Sequence, residues 1–411
     1  MTSVKFLNGS HDIEGNIVAF YTLTSRVIVD FGMVGGFKED RVEKLINSHL
    51  LPNLPDLFLN QASEFQHQAI ILTQVNVDNL MAAVYLNSSI EIYVSEKGYR
   101  LYLSLLHNGL IQPIEANIRV MPHELEVGDL LVRGFESDCG VMGSQSLLIN
   151  DGQHYFGVSG DVRVNGPHKD KVYHWIRKFR KQDLDLFLFD STAYSFSKDC
   201  DLFSTDEFAL QHQFSDLIVQ RRDLIVINVD PSNVDRLKSI CKKSHHYGRK
   251  VVLEQAYANV LHEFFPKIDI CVLKESITNK KTTPTELEVV SLDDIKQHSR
   301  GFVLQNSFDN IGFLKKLKPG IYLHSNGFPN ISLNRDFEYL REKLHQFKFQ
   351  YLEFCASGHA SIQDVNFLVE AVNAQKTVPW HSYHPELAVK AMKDLQMKFV
   401  VPDSSKKLLF E

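Results

Sequence analysis

The chain has 411 residues, of which 44% are hydrophobic and 23% charged, and its formal net charge is −6 at pH 7. This length exceeds that of one ordinary domain and predicts two domains with substantial cores. The acidic balance excludes an overall basic field for nucleic acid but leaves local basic grooves open.

The five cysteines are widely spaced, and none belongs to a Cys-x-x-Cys pair. This pattern favours a reducing compartment over a disulfide framework. The N-terminal residues lack the apolar region of a signal peptide, and the most apolar early stretch, 17–29, contains Arg26 and is too short to span a bilayer. We therefore expect a soluble cytoplasmic protein that does not associate with membranes.

The first 195 residues alternate short strands with a few helices. Strands are predicted at 3–7, 16–23, 26–29, 70–72, 91–94 and 184–189, with further short strands between 115 and 159. Helices are predicted at 39–50, 79–86, 97–108 and 172–181. A run of strands followed by alternation with helices is typical of layered sheets with helices outside.

From residue 197 onward, helices and apolar strands alternate regularly. Helices are predicted at 207–221, 233–245, 256–263, 337–344 and 362–373, and strands at 223–229, 250–253, 268–273, 301–304, 320–324 and 350–354. The polar segment 275–285 is predicted to be a loop. This alternation predicts a parallel sheet with its own core.

A polar cluster with the pattern Gln74-x-Asn76-x-Asp78-Asn79 follows the apolar strand 70–72. Its spacing matches the metal-binding pattern His-x-His-x-Asp-His, with amides at the three imidazole positions. By itself a match of six residues is explained more simply as a polar helix cap. The other motifs of the chain have to decide between these two interpretations.

Further motifs occur in an order that points to one family. They are Gly9–Asn16, Val29-Asp-Phe-Gly32, Ser159–Arg163, Leu188–Thr192, Val229–Arg236, Tyr247–Glu254, Ala356–Ser361 and Val378–Glu386. Together with the polar cluster, they resemble the metallo-β-lactamase/β-CASP nucleases over nearly the whole chain, and most closely the ribonuclease J branch. The last motif departs from the family at Trp380 and Ser382.

This resemblance implies an α/β protein, in which an αββα metallo-β-lactamase sandwich carries an inserted β-CASP domain with a parallel sheet. The implied boundaries are 1–195 for the first part of the sandwich, 196–350 for the β-CASP domain and 351–411 for the C-terminal part. The larger C-terminal domain of many ribonuclease J proteins is not expected in this chain.

The family holds two metal ions with five histidines and two aspartates. The resemblance places these ligands at Gln74, Asn76, Asp78, Asn79, Cys139, Asp161 and His381, so that four of the five imidazoles are replaced. Neutral amides and one thiol are poor zinc ligands, so a two-zinc centre is not expected. The remaining Asp78, Asp161 and His381, with an amide oxygen of Asn79, could hold Mg²⁺ or Mn²⁺ weakly.

The resemblance also assigns the residues around the metals. Asp190 and His359 correspond to an auxiliary acid and a proton-shuttle residue, Ser357, Gly358 and His359 to a phosphate-binding turn, and Asp30 to a structural acid. Buried carboxylates at these positions require a cation, a proton or a nearby arginine or lysine. Cys139 alone is more simply a small buried hydrophobe, and His359 alone a packed histidine.

Two basic clusters are either solvated surfaces or tracks for a polynucleotide backbone. They are the run from Lys169 to Lys181, and the set Arg236, Lys242, Lys243, Arg249 and Lys250.

Three functions are compatible with these features. The favoured one is a pseudonuclease that binds RNA or a protein partner, or that forms a homo-oligomer. The second is a phosphodiesterase that acts with one residual metal. The third is an interaction scaffold without a role in nucleic-acid binding.

Overall fold

The computed structural model describes residues 1–34, 40–59, 61–196, 206–278, 287–329, 334–395 and 397–411, without the side chains of Val77, Asp78 and Asn334. Its contacts divide the chain into two compact units. The first comprises Met1–Tyr102, Ile111–Phe203 and Ser357–Glu411, and the second Leu103–Leu110 and Ser204–Ala356. No helix in the described ranges is long and apolar enough to cross a bilayer.

Two mixed sheets form the first unit. In the described residues, the first sheet consists of β1 (Thr2–Asn8), β2 (Ile17–Tyr21), β3 (Ser25–Val29), β4 (His67–Ile71), β5 (Glu91–Val94), β6 (Asn117–Val120) and β21 (Lys407–Phe410), in the order β21-β1-β2-β3-β4-β5-β6. Strands β21, β1, β2 and β3 pair antiparallel, whereas β3, β4, β5 and β6 pair parallel.

The second sheet has the same mixture of pairings. Its described strands are β7 (Leu125–Val127), β8 (Leu130–Glu136), β9 (Gln145–Asn150), β10 (Tyr155–Val158), β11 (Leu186–Asp190), β19 (Lys376–Trp380) and β20 (Lys398–Phe399), in the order β20-β19-β11-β10-β9-β8-β7. Strands β10, β11, β19 and β20 are parallel, so β10, β11 and β19 end at one edge of the sheet.

The two sheets pack face to face around one apolar core. Alternate side chains of each strand point into it, such as Val4 and Phe6 from β1 and Leu186 and Leu188 from β11. The outer face of the second sheet is also buried, which explains why β11 is apolar on both sides.

Helices cover this unit from outside. They are α1 (Val42–Asn47), α2 (Pro55–Phe58), α3 (Val77–Leu80), the first part of α4 (Glu96–His107), α5 (Lys169–Arg180), α11 (Ile362–Val372) and α12 (Pro385–Ala391). Trp175 and Phe179 of α5 and Leu368 of α11 pack on the second sheet. The layers are therefore helix, sheet, sheet and helix.

The second unit contains a sheet whose pairings are all parallel. Its described strands are β12 (Leu224–Val229), β13 (Lys250–Leu253), β14 (Cys271–Leu273), β15 (Glu288–Val290), β16 (Phe302–Gln305), β17 (Gly320–Ser325) and β18 (Gln350–Glu353), in the order β15-β14-β13-β16-β12-β17-β18. Its helices are α6 (Glu207–Gln220), α7 (Val234–His246), α8 (Gln255–Phe264), α9 (Leu292–Gln297) and α10 (Asn334–Gln346).

The α/β class, the layered sheets and the parallel sheet of the second unit confirm the predicted architecture. The predicted helix 79–86 is wrong in its extent, because α3 ends at Leu80 and a 3₁₀ turn, Ala82–Tyr85, follows. Helix α1 is shorter than predicted, and Glu39 lies outside the described residues. Most of the predicted loop 275–285 also lies outside them.

Several short elements were not predicted. They are β15, β19, β20, β21, α2, α9 and α12. Strand β21 pairs with β1 at the edge of the first sheet, so its partner is distant in sequence and gives no local signal. The predicted domain boundaries at 195 and 350 stay predictions.

Replacement of Phe156 with alanine tests the sandwich core. Phe156 is fully buried, and its ring lies 4.9 Å from that of Phe410 and 5.6 Å from that of Phe20. Because the cavity would be closed by both sheets, we expect Phe156→Ala to lower the free energy of unfolding by about 3–5 kcal/mol. Urea titrations followed by tryptophan fluorescence report on the first unit, since Trp175 and Trp380 both lie there.

The matched control is Leu23→Ala, at a side chain that is 92% exposed in the same unit. It should change the free energy of unfolding by less than about 0.5 kcal/mol. Equal effects of the two substitutions would contradict the assignment of the core.

Candidate functional site

The site lies where parallel strands of both sheets in the first unit end. Asp30 follows β3, Gln74 follows β4, Asp161 follows β10, Asp190 ends β11 and His381 follows β19. The carboxyl ends of parallel strands share one edge of a sheet, and the packing of the sheets brings the two edges together. Hydrogen bonds from the backbone N–H and the Nε2 of Gln145 to the carbonyl oxygens of Thr73 and Leu72 join these edges.

The turn between β10 and Asp161 depends on Gly160. Its φ is +59°, and a Cβ there would lie 2.7 Å from Cβ of Thr73. A glycine is therefore required for Asp161 to reach the first sheet. Asp30 and His381 also have left-handed φ values, 57° and 55°. Non-glycine residues adopt this conformation infrequently, and such residues cluster at functional sites.

Asp30 is buried against Thr73. The backbone N–H of Thr73 donates to Oδ1 of Asp30 at 2.8 Å, and its hydroxyl contacts both carboxylate oxygens at 3.0 and 2.9 Å. Burial raises the pKa of Asp30 to about 6, although the Thr73 donors and the positive charge of His381 oppose this rise. Asp30 is thus a structural carboxylate that binds a proton more readily than a solvated one.

The polar cluster after β4 acts in part as a helix cap. Oδ1 of Asn76 accepts a hydrogen bond from the backbone N–H of Asn79 at 2.8 Å, at the start of α3. Nδ2 of Asn79 points to Oδ1 of Asp30 at 3.4 Å. The side chain of Asp78 lies outside the described part of the chain. Asn76 and Asn79 are therefore already used inside the protein.

Gln74 connects two of the predicted ligand positions. Its Nε2 donates to Oδ2 of Asp161, and its Oε1 accepts from Sγ of Cys139. Cys139 is 6% exposed, and burial together with the charge of Asp161 raises its pKa above the ordinary range of a thiol. The raised pKa favours the protonated thiol, which is a poor metal ligand and a poor nucleophile.

Asp161 forms an ion pair with His381. Its Oδ1 lies 2.6 Å from Nδ1 of His381. Burial alone would raise the pKa of Asp161, but the charges of His381 and His359 hold it below the ordinary range. Burial alone would lower the pKa of His381, but the charge of Asp161 raises it. Both shifts favour an imidazolium paired with a carboxylate.

Nε2 of His381 is buried and has no hydrogen-bond partner among the described residues. This nitrogen can therefore donate or accept a hydrogen bond that no described protein group satisfies.

Asp190 forms the second pair, with His359. Nδ1 of His359 lies 2.8 Å from Oδ2 of Asp190, which also accepts from the backbone N–H of Val162 at 3.1 Å. Oδ1 of Asp190 accepts from the N–H and the hydroxyl of Thr192, at 3.0 and 2.7 Å. Burial opposes protonation of His359, but the charges of Asp190 and Asp161 raise its pKa to about 9.

These residues include one set with the composition of a metal site. Ligand atoms of Asp161, Asp190 and His359 lie within 4.8 Å of one another. However, the four contacts of Asp190 already fill both its oxygens, and His359 is a poor ligand while it is protonated. In the arrangement described here, both histidines pair with carboxylates.

The turn at Ser357 lies next to the second pair. The backbone N–H of His359 donates to Oγ of Ser357 at 3.0 Å, and a Cβ on Gly358 would lie 2.6 Å from the carbonyl oxygen of Cys139. Ser357, Gly358 and His359 are each partly exposed, so an anion can approach them. Nε2 of His359 has no recorded hydrogen bond among the described residues.

A further buried pair supports the turn, and sequence reasoning did not single it out. Nε of Arg163 donates to Oδ1 of Asp138 at 2.9 Å, and both side chains are 2% exposed. Nη1 of Arg163 also reaches the carbonyl oxygen of Ser357 at 3.4 Å. Arg163 thus pairs with Asp138, and which group offsets the carboxylates of the site stays a prediction.

Comparisons with known proteins add the fold but no function. No protein-family model matches the sequence, and no curated protein matches it. A crystal structure of a protein of unknown function from Enterococcus faecalis V583 covers 100% of both chains, with a TM-score of 0.86 and 21% identity. This likeness shows a shared fold.

A weaker likeness is to the metallo-β-lactamase fold protein YhfI from Bacillus subtilis. It covers 51% of this chain and 80% of that protein, with a TM-score of 0.34 and 13% identity. This similarity is partial and low. The ribonuclease J branch stays a prediction.

The pair of His359 and Asp190 predicts how stability depends on pH. The pKa of His359 rises from 6.5 to about 9 on folding, so protonated His359 stabilises the folded protein. This contribution, up to about 3 kcal/mol, is complete below pH 6.5 and is lost as the pH rises through 9. We therefore expect His359→Gln to be markedly destabilising at pH 6 and much less so at pH 9.5, in urea titrations of the two proteins.

His123→Gln is the matched control, because His123 is exposed in the same unit. Its effect should be small at both pH values. A cost of His359→Gln that does not change with pH would show that His359 is not an imidazolium paired with Asp190.

Proposed function

We propose that this chain is a metallo-β-lactamase/β-CASP-type pseudonuclease, which binds RNA without hydrolysing it. The observation that carries the proposal is that the side chains at the predicted catalytic centre bind one another. Asp161 pairs with His381 and Asp190 with His359, while Gln74 joins Asp161 to Cys139. Protein groups thus take several of the contacts that metal ions would make, while Nε2 of His381 has no partner among the described residues.

The first metal position of the family does not fit its ion. Its donors would be Gln74, Asn76, Cys139 and Asp161, and the first three offer neutral amides and a thiol whose pKa is raised by burial. Zinc requires imidazole, thiolate or carboxylate ligands. Hydrolysis in this family depends on two metals, which activate a water and stabilise the leaving oxygen. A chain without the first position has no group for that role.

Binding of a phosphate group is supported by the charge at the turn. His359 is 28% exposed, carries a raised pKa, and has an Nε2 without a recorded protein partner. The imidazolium can therefore donate a charge-assisted hydrogen bond to a phosphate oxygen. Ser357 and Gly358 lie beside it and are partly exposed. We propose this turn as a contact for the RNA backbone.

A residual one-metal phosphodiesterase is the second candidate, because Asp161, Asp190 and His359 are close enough to share a cation. Such a metal would have to displace the proton of His359 and the hydrogen bonds of Asp190. The two candidates differ in metal content and in turnover, so one preparation can distinguish them.

The purified protein should contain fewer than two equivalents of transition metal and should not cleave RNA with added Mn²⁺, Mg²⁺ or Zn²⁺. Elemental analysis and a nuclease assay on the same sample measure both properties. One tightly held metal together with metal-dependent cleavage would establish the second candidate. Two tightly bound metal ions together with RNA cleavage would show that the protein is an active nuclease.

Restoring the missing ligands provides a stronger test. Gln74→His, Asn76→His, Asn79→His and Cys139→His, together with Asp78, Asp161 and His381, would give the family's five histidines and two aspartates. We expect this variant to bind two zinc or manganese ions, because the strands that carry these positions are retained. A folded variant that binds no metal would show that the residues are not equivalent to the family's ligands. Recovery of hydrolysis is not required, since it depends in addition on the groups that orient the histidines.

A further inference from the structure

The outer surface of the first unit contains a groove between α5 and α11, away from the strand ends that form the site. It encloses about 650 Å³. Four cationic side chains line it from α5 and the residue after it, namely Arg177, Lys178, Arg180 and Lys181. No carboxylate is among its described lining residues. The groove is therefore positively charged although the chain as a whole is acidic.

These cations are exposed, and no ion pair is recorded for them among the described residues. Other cations of the same helix and of the second basic cluster are used internally. Lys171 pairs with Glu136 at 3.3 Å, and Arg236 pairs with Glu207 in the second unit.

Most cations of the second basic cluster are thus bonded to other groups of the protein. Arg249 is 4% exposed and donates to the carbonyl oxygens of Asp223 and Ile218, and Lys250 pairs with Glu288. Of the two basic clusters in the sequence, the first therefore retains more free charge. The C-terminal position of Arg177, Lys178 and Arg180 also complements the helix dipole, but that effect is screened and needs no groove.

Two aromatic rings lie beside these charges. Tyr173 of α5 and Phe367 of α11 pack edge to face with their centroids 5.9 Å apart, and they remain 36% and 47% exposed. Both line the groove. Rings that are this exposed contribute little to the apolar core. Exposed aromatic rings are, however, surfaces on which nucleobases stack.

The spacing along α5 combines the two features. Tyr173, Arg177 and Lys181 are four residues apart and thus lie on one face of the helix, over about 12 Å along its axis. A ring at one end of this stripe and cations at the other match a short segment of single strand, which offers a base and phosphates together. An acidic peptide would use the cations but not the rings.

We propose that the groove between α5 and α11 binds single-stranded RNA through stacking on Tyr173 and Phe367 and through phosphate contacts with Arg177 and Lys181. This inference rests on the RNA binding of the proposed function and adds a second contact surface to it. It is independent of the charge state of the strand-end site, because none of these side chains belongs to that site.

The test measures binding of a fluorescent single-stranded RNA oligonucleotide at several salt concentrations. Arg177→Ala/Lys181→Ala should weaken binding about tenfold at low salt and should reduce the slope of log K against log salt by about 1.4, because each lost phosphate contact removes about 0.7. Tyr173→Ala/Phe367→Ala should weaken binding about tenfold with little change in this slope. Thermal unfolding of each variant checks that these exposed positions leave the fold intact.

The matched control is Lys390→Ala/Lys393→Ala, which removes two exposed lysines of the same unit outside the groove. Its affinity and salt slope should equal those of the wild type. Unchanged RNA binding by both groove variants would show that the groove does not bind RNA. If His359→Ala then weakens binding, the proposed function would still hold. A wild type that binds no RNA, or that binds only vesicles of anionic lipid, would overturn the groove and the RNA binding of the proposed function together.

Discussion

Three carboxylates, those of Asp30, Asp161 and Asp190, lie close together at the edges of two packed sheets, and their negative charge is the constraint on which the site depends. Charges removed from water have to be compensated, since a buried carboxylate without a partner is costly. Two histidines supply this compensation here. His381 pairs with Asp161 and His359 with Asp190, and the remaining carboxylate, Asp30, is bound by Thr73 and has a raised pKa.

This arrangement has a consequence for chemistry. An imidazole can bind a metal only while it is neutral, and a carboxylate that stabilises the imidazolium works against that state. The same pairs that compensate the buried charge therefore oppose metal binding. They also leave a positive charge at a partly exposed position, His359, which suits recognition of a phosphate better than activation of water. Under the proposed function, loss of hydrolysis and retention of anion binding would therefore have one physical cause.

Much of this could be predicted from the sequence, because the strands that position the site have strong local signals. The apolar runs before Asp30, Gln74 and Asp190 predicted strands, and polar residues at strand ends predicted a site. The pairing of Gln74 with Cys139 and Asp161 could not be predicted, since these residues are 65 and 87 positions apart and only the packing of the sheets joins them.

The sequence also could not predict which group compensates the buried carboxylates. Arg163 lies two residues from Asp161 and would be a candidate from the sequence alone. In the structure its guanidinium pairs with Asp138. The role of Asn76 required the start of α3, which distinguishes a cap from a ligand. Strand β21 pairs with β1 at the opposite end of the chain, and β20 has only two residues, so periodicity alone did not reveal them.

NMR of the ring nitrogens of His359 and His381 measures directly whether both rings are imidazolium groups paired with carboxylates. Spectra of protein labelled with ¹⁵N-histidine, assigned with His359→Gln and His381→Gln, would be followed from pH 5 to 10. We expect the ring of His359 to carry two protons at pH 6.5 and to lose one near pH 9, and the pKa of His381 to lie above its ordinary value. A His359 ring that is neutral at pH 6.5, a lowered pKa of His381, or ring-nitrogen shifts that chelator treatment abolishes would contradict the imidazolium–carboxylate pairs.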